Sequence, residues 1–182
     1  SEVDEVLKRS RDVLKRIDEI VKKVLTDSKR VLEDLRRIVK EVLDESKKVL
    51  EEIRKIKDSR EDVTELVKRL HKRNKDVLDR VRKVVERNHR LNKRALEEVA
   101  RLVKELHDLN KRALDEVRSD ERAEEVERAM RKSSDDLRRK LEEVERRLRK
   151  SSEESKKVLK DAEREIRRSS DELRKVLEDI RR

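Results

Sequence analysis

Val3-Asp4-Glu5-Val6-Leu7-Lys8-Arg9-Ser10 returns 18 residues later as Val21-Lys22-Lys23-Val24-Leu25-Thr26-Asp27-Ser28, and after another 18 as Val39-Lys40-Glu41-Val42-Leu43-Asp44-Glu45-Ser46. The rest of each repeat is equally regular: Val13, Val31 and Val49 align, as do Leu14, Leu32 and Leu50, then Ile17, Leu35 and Ile53, then Ile20, Ile38 and Ile56. At about 100° per residue these positions gather into one arc of about 140°. Strict alternation is absent, so strands are excluded. Residues 2–57 are therefore expected to form one amphipathic helix about 85 Å long, at about 1.5 Å per residue. An 18-residue period over five turns is about 3.6 per turn, between the spacings that wind left- and right-handed supercoils, which predicts a nearly straight helix.

Working outward, the first interruption is Lys57-Asp58-Ser59-Arg60-Glu61-Asp62. Asp58 or Ser59 can cap a new helix, with Glu61 or Asp62 at the third position and an acidic first turn that suits the helix dipole. A second helix, about 60–117, carries Val63/Val81/Val99/Val117, Leu66/Val84/Leu102, Val67/Val85/Val103 and Leu78/Leu96/Leu114 in the same period. Val77 gives way to Ala95 and Ala113, where a neighbouring helix can approach closely. Arg118-Ser119-Asp120-Glu121 offers another capping serine, and a third helix, about 120–181, follows with a thinner apolar stripe. The pairs Ser133-Ser134, Ser151-Ser152 and Ser169-Ser170 interrupt that stripe at 18-residue spacing. The apolar register passes through each pair unshifted and no Gly or Pro ends a preceding helix, so one continuous helix is expected rather than three short ones. The fold class is all-α: one domain, residues 1–182, built as an up-down-up bundle of three long, nearly straight antiparallel helices.

Composition supports this and narrows the function. Charged residues make up 56% of the chain and apolar residues 32%, with no Gly, Pro, Cys, Phe, Trp or Tyr. About 13 glycines and about 9 prolines would be ordinary for this length. Absence of cysteine excludes disulfides, thiolate metal sites and thiol nucleophiles. No apolar run is long enough for a transmembrane span or a signal-peptide core. The net charge of +10 is spread over all three helices and is accompanied by no aromatic residue, so a specific nucleic-acid surface is not expected.

The polar residues inside the arcs are the candidate functional positions. His71 and Asn74, His89 and Asn92, and His107 and Asn110 form a His-x-x-Asn phrase repeated every 18 residues, and these are the only histidines. Ser10, Ser28 and Ser46 stand in mid-arc on the first helix. Folding the chain back at the first interruption brings Ser10 level with His107 and Asn110, Ser28 with His89 and Asn92, and Ser46 with His71 and Asn74. Folding again at the second brings His107 level with Ser133 and Ser134, His89 with Ser151 and Ser152, and His71 with Ser169 and Ser170. Three polar levels about 27 Å apart follow. A buried polar group without a partner costs about 1–3 kcal/mol, so each level is expected to be a connected hydrogen-bond network of His, Asn and Ser.

With phrases such as Leu96-Glu97-Glu98-Val99-Ala100-Arg101-Leu102 and Leu106-His107-Asp108-Leu109-Asn110, the chain resembles de novo designed helical bundles that carry repeated hydrogen-bond networks, particularly those made pH-responsive by histidine. The resemblance covers the whole chain. It implies a synthetic, soluble protein, cytoplasmic when expressed, that assembles with itself as a symmetric homo-oligomer or a filament. Common members are two-helix hairpins, and the three helices here depart from that pattern.

Two functional readings follow. If the histidines are buried and neutral, acid destabilises the fold below about pH 6.5, by up to about 1.4 kcal/mol per pH unit per histidine, and the chain is a pH-responsive assembly module. Alternatively the networks only fix packing in a very stable monomer. Catalysis is not expected, because single histidines about 27 Å apart cannot cooperate and no carboxylate pair stands out. No cofactor is implied, and His-x-x-Asn supplies one good metal ligand per level, so only symmetry bringing three copies together could make a tri-histidine site and no metal is expected.

Overall fold

The computed structural model describes residues 2–55, 60–117 and 121–181. They form three helices: α1 (Glu2–Lys55), α2 (Arg60–Val117) and α3 (Ala123–Arg181), packed antiparallel as a bundle. Glu2, Asp4 and Glu5 occupy the first turn of α1, and Arg54 and Lys55 its last, each sign matched to the helix dipole. The capping positions Asp58, Ser59, Ser119 and Asp120 lie outside the described residues. Helix α3 starts at Ala123, three residues later than its sequence pattern predicts, behind a turn at residues 121 and 122. There the Val126 amide donates to the Arg122 carbonyl at 2.9 Å. The three serine pairs leave α3 unbroken.

Packing groups the chain into two units, each built from a segment of all three helices. One comprises Ser1–Asp27 with Arg90–Ser152, the other Ser28–His89 with Glu153–Arg182. In the first, Ile17 and Val21 of α1 meet Ala95, Val99, Val103 and Leu106 of α2 and Leu137, Val144 and Leu148 of α3. A second cluster in that unit joins Val6, Ala113, Val126 and Met130. Ala95 and Ala113 are both buried, as expected of small residues where helices approach closely. In the other unit Leu32, Leu35 and Val39 meet Val81 and Val85 of α2 and Val158, Ala162 and Ile166 of α3. Its second cluster holds Leu50, Ile53, Val63, Val67, Leu70 and Leu173.

Each buried Val, Leu or Ile contributes about 1.5–3 kcal/mol relative to exposure, which is what holds such highly charged helices together. Ion pairs at the surface between helices, Arg73 with Glu45 at 2.6 Å, Arg82 with Glu163 at 3.4 Å and the half-buried Lys140 with Asp18 at 2.5 Å, add about 0–1 kcal/mol each. No helix is long and apolar enough to cross a membrane among the described residues.

Candidate functional site

In the first unit, Ser10, Asn110 and Ser133 fall between its two clusters, and all three are buried. Asn110 Nδ2 donates to Ser133 Oγ and to Ser134 Oγ, both at 3.1 Å, and Ser133 Oγ shares a 3.1 Å bond with Ser10 Oγ. One level thus connects all three helices through side chains alone. In the same unit Asn92 Nδ2 donates to Ser151 Oγ and Ser152 Oγ, both at 3.2 Å. In the other unit Asn74 Nδ2 donates to Ser169 Oγ at 3.3 Å and to Ser170 Oγ at 3.2 Å. Ser46 and Ser28 are buried in this unit as well.

The repeated motif is a fork. A carboxamide NH2 carries two hydrogens in one plane, and consecutive serines on α3 present two hydroxyl oxygens about 100° apart around the helix, so each hydrogen finds its own acceptor. The first serine of each pair is buried and the second half-buried. The fork leaves the other edge of the amide unmatched: Asn74 Oδ1, Asn92 Oδ1, Asn110 Oδ1 and Ser46 Oγ have no hydrogen-bond partner among the described residues. An amide turned over would exchange the roles of its two ends and leave the NH2 orphaned instead.

The histidines depart from expectation. His71, His89 and His107 are half-buried and not in the core, and the hydrogen bonds of the levels run from Asn to Ser without them. Helix geometry accounts for this placement. Three residues before an asparagine is about 60° of rotation away from it, which carries each imidazole past Leu78, Leu96 and Leu114 to the margin of the apolar arc. The buried histidine networks are therefore asparagine–serine networks with histidine beside them. Burial, and then the Arg174 guanidinium on α3, hold the His71 imidazole below its ordinary pKa.

One further buried pair is absent from the repeated phrases. Asn88 donates to Ser155 Oγ, and both residues are buried. The sequence signal is an exception to the period: Asn88 stands where Leu70 and Leu106 stand one repeat away, and Ser155 where Leu137 and Leu173 do. With it, all four asparagines of the chain are buried and bonded to serine.

Elsewhere the chemistry is sparse. A cleft of about 310 Å³ opens in the first unit over Val3, Leu7, Val117 and Val126. At its rim the protonated Glu2 carboxyl donates to the Glu116 carboxylate, and this hydrogen bond, reinforced by the charge of Glu116, raises the pKa of Glu2. No group of three or more His, Asp or Glu side chains is placed to hold a metal among the described residues.

No family model matches the chain, and no curated protein matches it. Among solved structures it is similar to a "Computationally designed three helix bundle", with a TM-score of 0.63 and 17% identity, over 98% of this chain and 90% of that one. At that identity the likeness bears on fold alone.

Proposed function

We propose that the chain is a designed structural scaffold: a single, monomeric three-helix domain in which the asparagine–serine forks dictate which helix faces meet and at what axial offset. The observation that carries this reading is the fork itself, one carboxamide against two adjacent hydroxyls, built three times from residues 18 apart. Hydrophobic layers tolerate small slides. A buried amide does not, because every misplaced donor costs about 1–3 kcal/mol. The similarity to a designed three-helix bundle supports the same reading, as does a sequence without Gly, Pro or aromatic residues. No catalytic step, cofactor or partner is assigned. The test is the triple variant Asn74→Leu/Asn92→Leu/Asn110→Leu. It should keep its helicity and its resistance to urea while its NMR spectrum broadens as packing loses uniqueness. A spectrum as sharp as the parent's would overturn the proposal.

A second reading, self-association lost on acidification, draws on His71 alone. Its folded pKa lies below the unfolded value, so the unfolded chain binds more protons between the two. Stability is then full above about pH 6.5 and declines as pH falls towards the folded pKa. Native mass at pH 7 and pH 4 separates the readings. A single mass of 22.0 kDa at both fits the scaffold, and a larger mass that collapses at pH 4 fits the switch.

A further inference from the structure

Repetition creates a hazard that the forks by themselves do not remove. In the observed antiparallel register of α2 on α3, Asn74 meets Ser169, Asn92 meets Ser151 and Asn110 meets Ser133. Slide one helix by 18 residues and Asn92 meets Ser169 while Asn110 meets Ser151, or in the other direction Asn74 meets Ser151 while Asn92 meets Ser133. The forks in the overlap are satisfied either way, and most apolar positions coincide too, because Val63/Val81/Val99 and Leu141/Leu159/Leu177 share the period.

Within one chain the turn forbids such a slide. Only five residues separate Val117 from Ala123, six steps that span at most about 22 Å when extended, against a displacement of about 27 Å. Between two chains nothing in the turn applies. α2 of one copy can lie on α3 of another at any multiple of the repeat, leaving an overhang that recruits a third.

We propose that the buried Asn88–Ser155 pair is a register pin that makes the central repeat unlike its neighbours and blocks staggered pairing between copies of this chain. The inference rests on the reading of the forks as packing determinants and deepens it: the forks fix the offset within a repeat, and the pin fixes which repeat. In the observed register Asn88 donates to Ser155, while the equivalent positions hold Leu70 beside Leu173 in one cluster and Leu106 beside Leu137 in another. An 18-residue slide in one direction sets Asn88 against Leu173 and Leu106 against Ser155. In the other it sets Asn88 against Leu137 and Leu70 against Ser155. Either way a buried carboxamide exchanges a hydroxyl for a methyl group, and the staggered pairing is disfavoured relative to the matched one.

The variant Asn88→Leu/Ser155→Leu tests this, because it makes the central positions identical to layers the chain already contains. Parent and variant are unfolded in guanidinium, refolded over a hundredfold range of chain concentration, and sized by light scattering and native mass spectrometry. The parent should return one mass throughout. The variant should remain helical and yield multiples of that mass, in a fraction that rises with concentration. Adding Leu106→Asn and Leu137→Ser, which moves the pin one repeat along, should restore the single mass. If the double variant returns the parent's single mass at every concentration, the pin is refuted. A triple Asn74→Leu/Asn92→Leu/Asn110→Leu chain in parallel tells the two failures apart: if it too keeps the parent's sharp spectrum, the forks do not dictate packing and the inference falls with that reading; if its spectrum broadens, the pin alone is wrong.

Discussion

The fork around Asn110 makes an asymmetry measurable: removing the amide should harm the fold less than removing the hydroxyls it donates to. Asn110→Leu deletes two hydrogen bonds, each worth about 0.5–1.5 kcal/mol net. It also removes Asn110 Oδ1, a buried acceptor without a partner among the described residues whose burial costs about 1–3 kcal/mol, and it places an apolar side chain at a position only 2% exposed. Ser133 keeps its bond to Ser10, and half-buried Ser134 turns to water. These effects combine to near neutrality or a gain of about 1–3 kcal/mol. Ser133→Ala/Ser134→Ala leaves the amide in place with both hydrogens orphaned. Discounted for water reaching the Ser134 side, that costs about 2–4 kcal/mol. Urea unfolding followed by circular dichroism reads both variants as midpoints at constant slope. If Asn110→Leu unfolds at lower urea than the double-alanine variant, the bonding described for this level is wrong.

Three other outcomes follow from the same structure. Ile17→Ala, at a fully buried α1 position, should cost about 2–5 kcal/mol by the same assay, whereas Leu91→Lys, at a position 42% exposed, should stay within about 0.5 kcal/mol of the parent. The His71→Gln variant should lose less stability than the parent between pH 7 and pH 5, since protonation of the imidazole is disfavoured in the folded state by burial and Arg174; equal slopes for the two would remove His71 from the acid response. Glu116→Gln should lower the titration midpoint of the Glu2 carboxyl, followed by NMR, because the neighbouring carboxylate that raises it is gone.

The architecture is legible in the sequence because an 18-residue period keeps every apolar position of α1 on one line over 54 residues, leaving no ambiguity of face or element. The same period marks Ser10, Asn110 and Ser133 as occupants of one level, since antiparallel pairing is arithmetic once the turns are placed. Three features resist that arithmetic. About 60° of rotation puts His107 at the edge of the arc and Asn110 near its centre, and only packing decides whether an edge residue joins the hydrogen bonds of a level. Asn88 lies outside the His-x-x-Asn phrases, and only the comparison with Leu70 and Leu106 marks it as an exception to the period. The sharing of one amide between two consecutive serines depends on rotamers that no sequence pattern specifies.

The asparagine–serine forks exist only if the asparagine amides are held inside the bundle. The most direct measurement is hydrogen exchange of the side-chain NH2 groups of Asn74, Asn88, Asn92 and Asn110, the only carboxamides in the chain, each assigned by NMR through its single-site Asp variant. All four should exchange on the order of 100-fold or more slowly than a free carboxamide, the protection an opening free energy of about 3 kcal/mol confers. Exchange at the solvent rate for Asn74, Asn92 and Asn110 would place those side chains in water and contradict the buried forks.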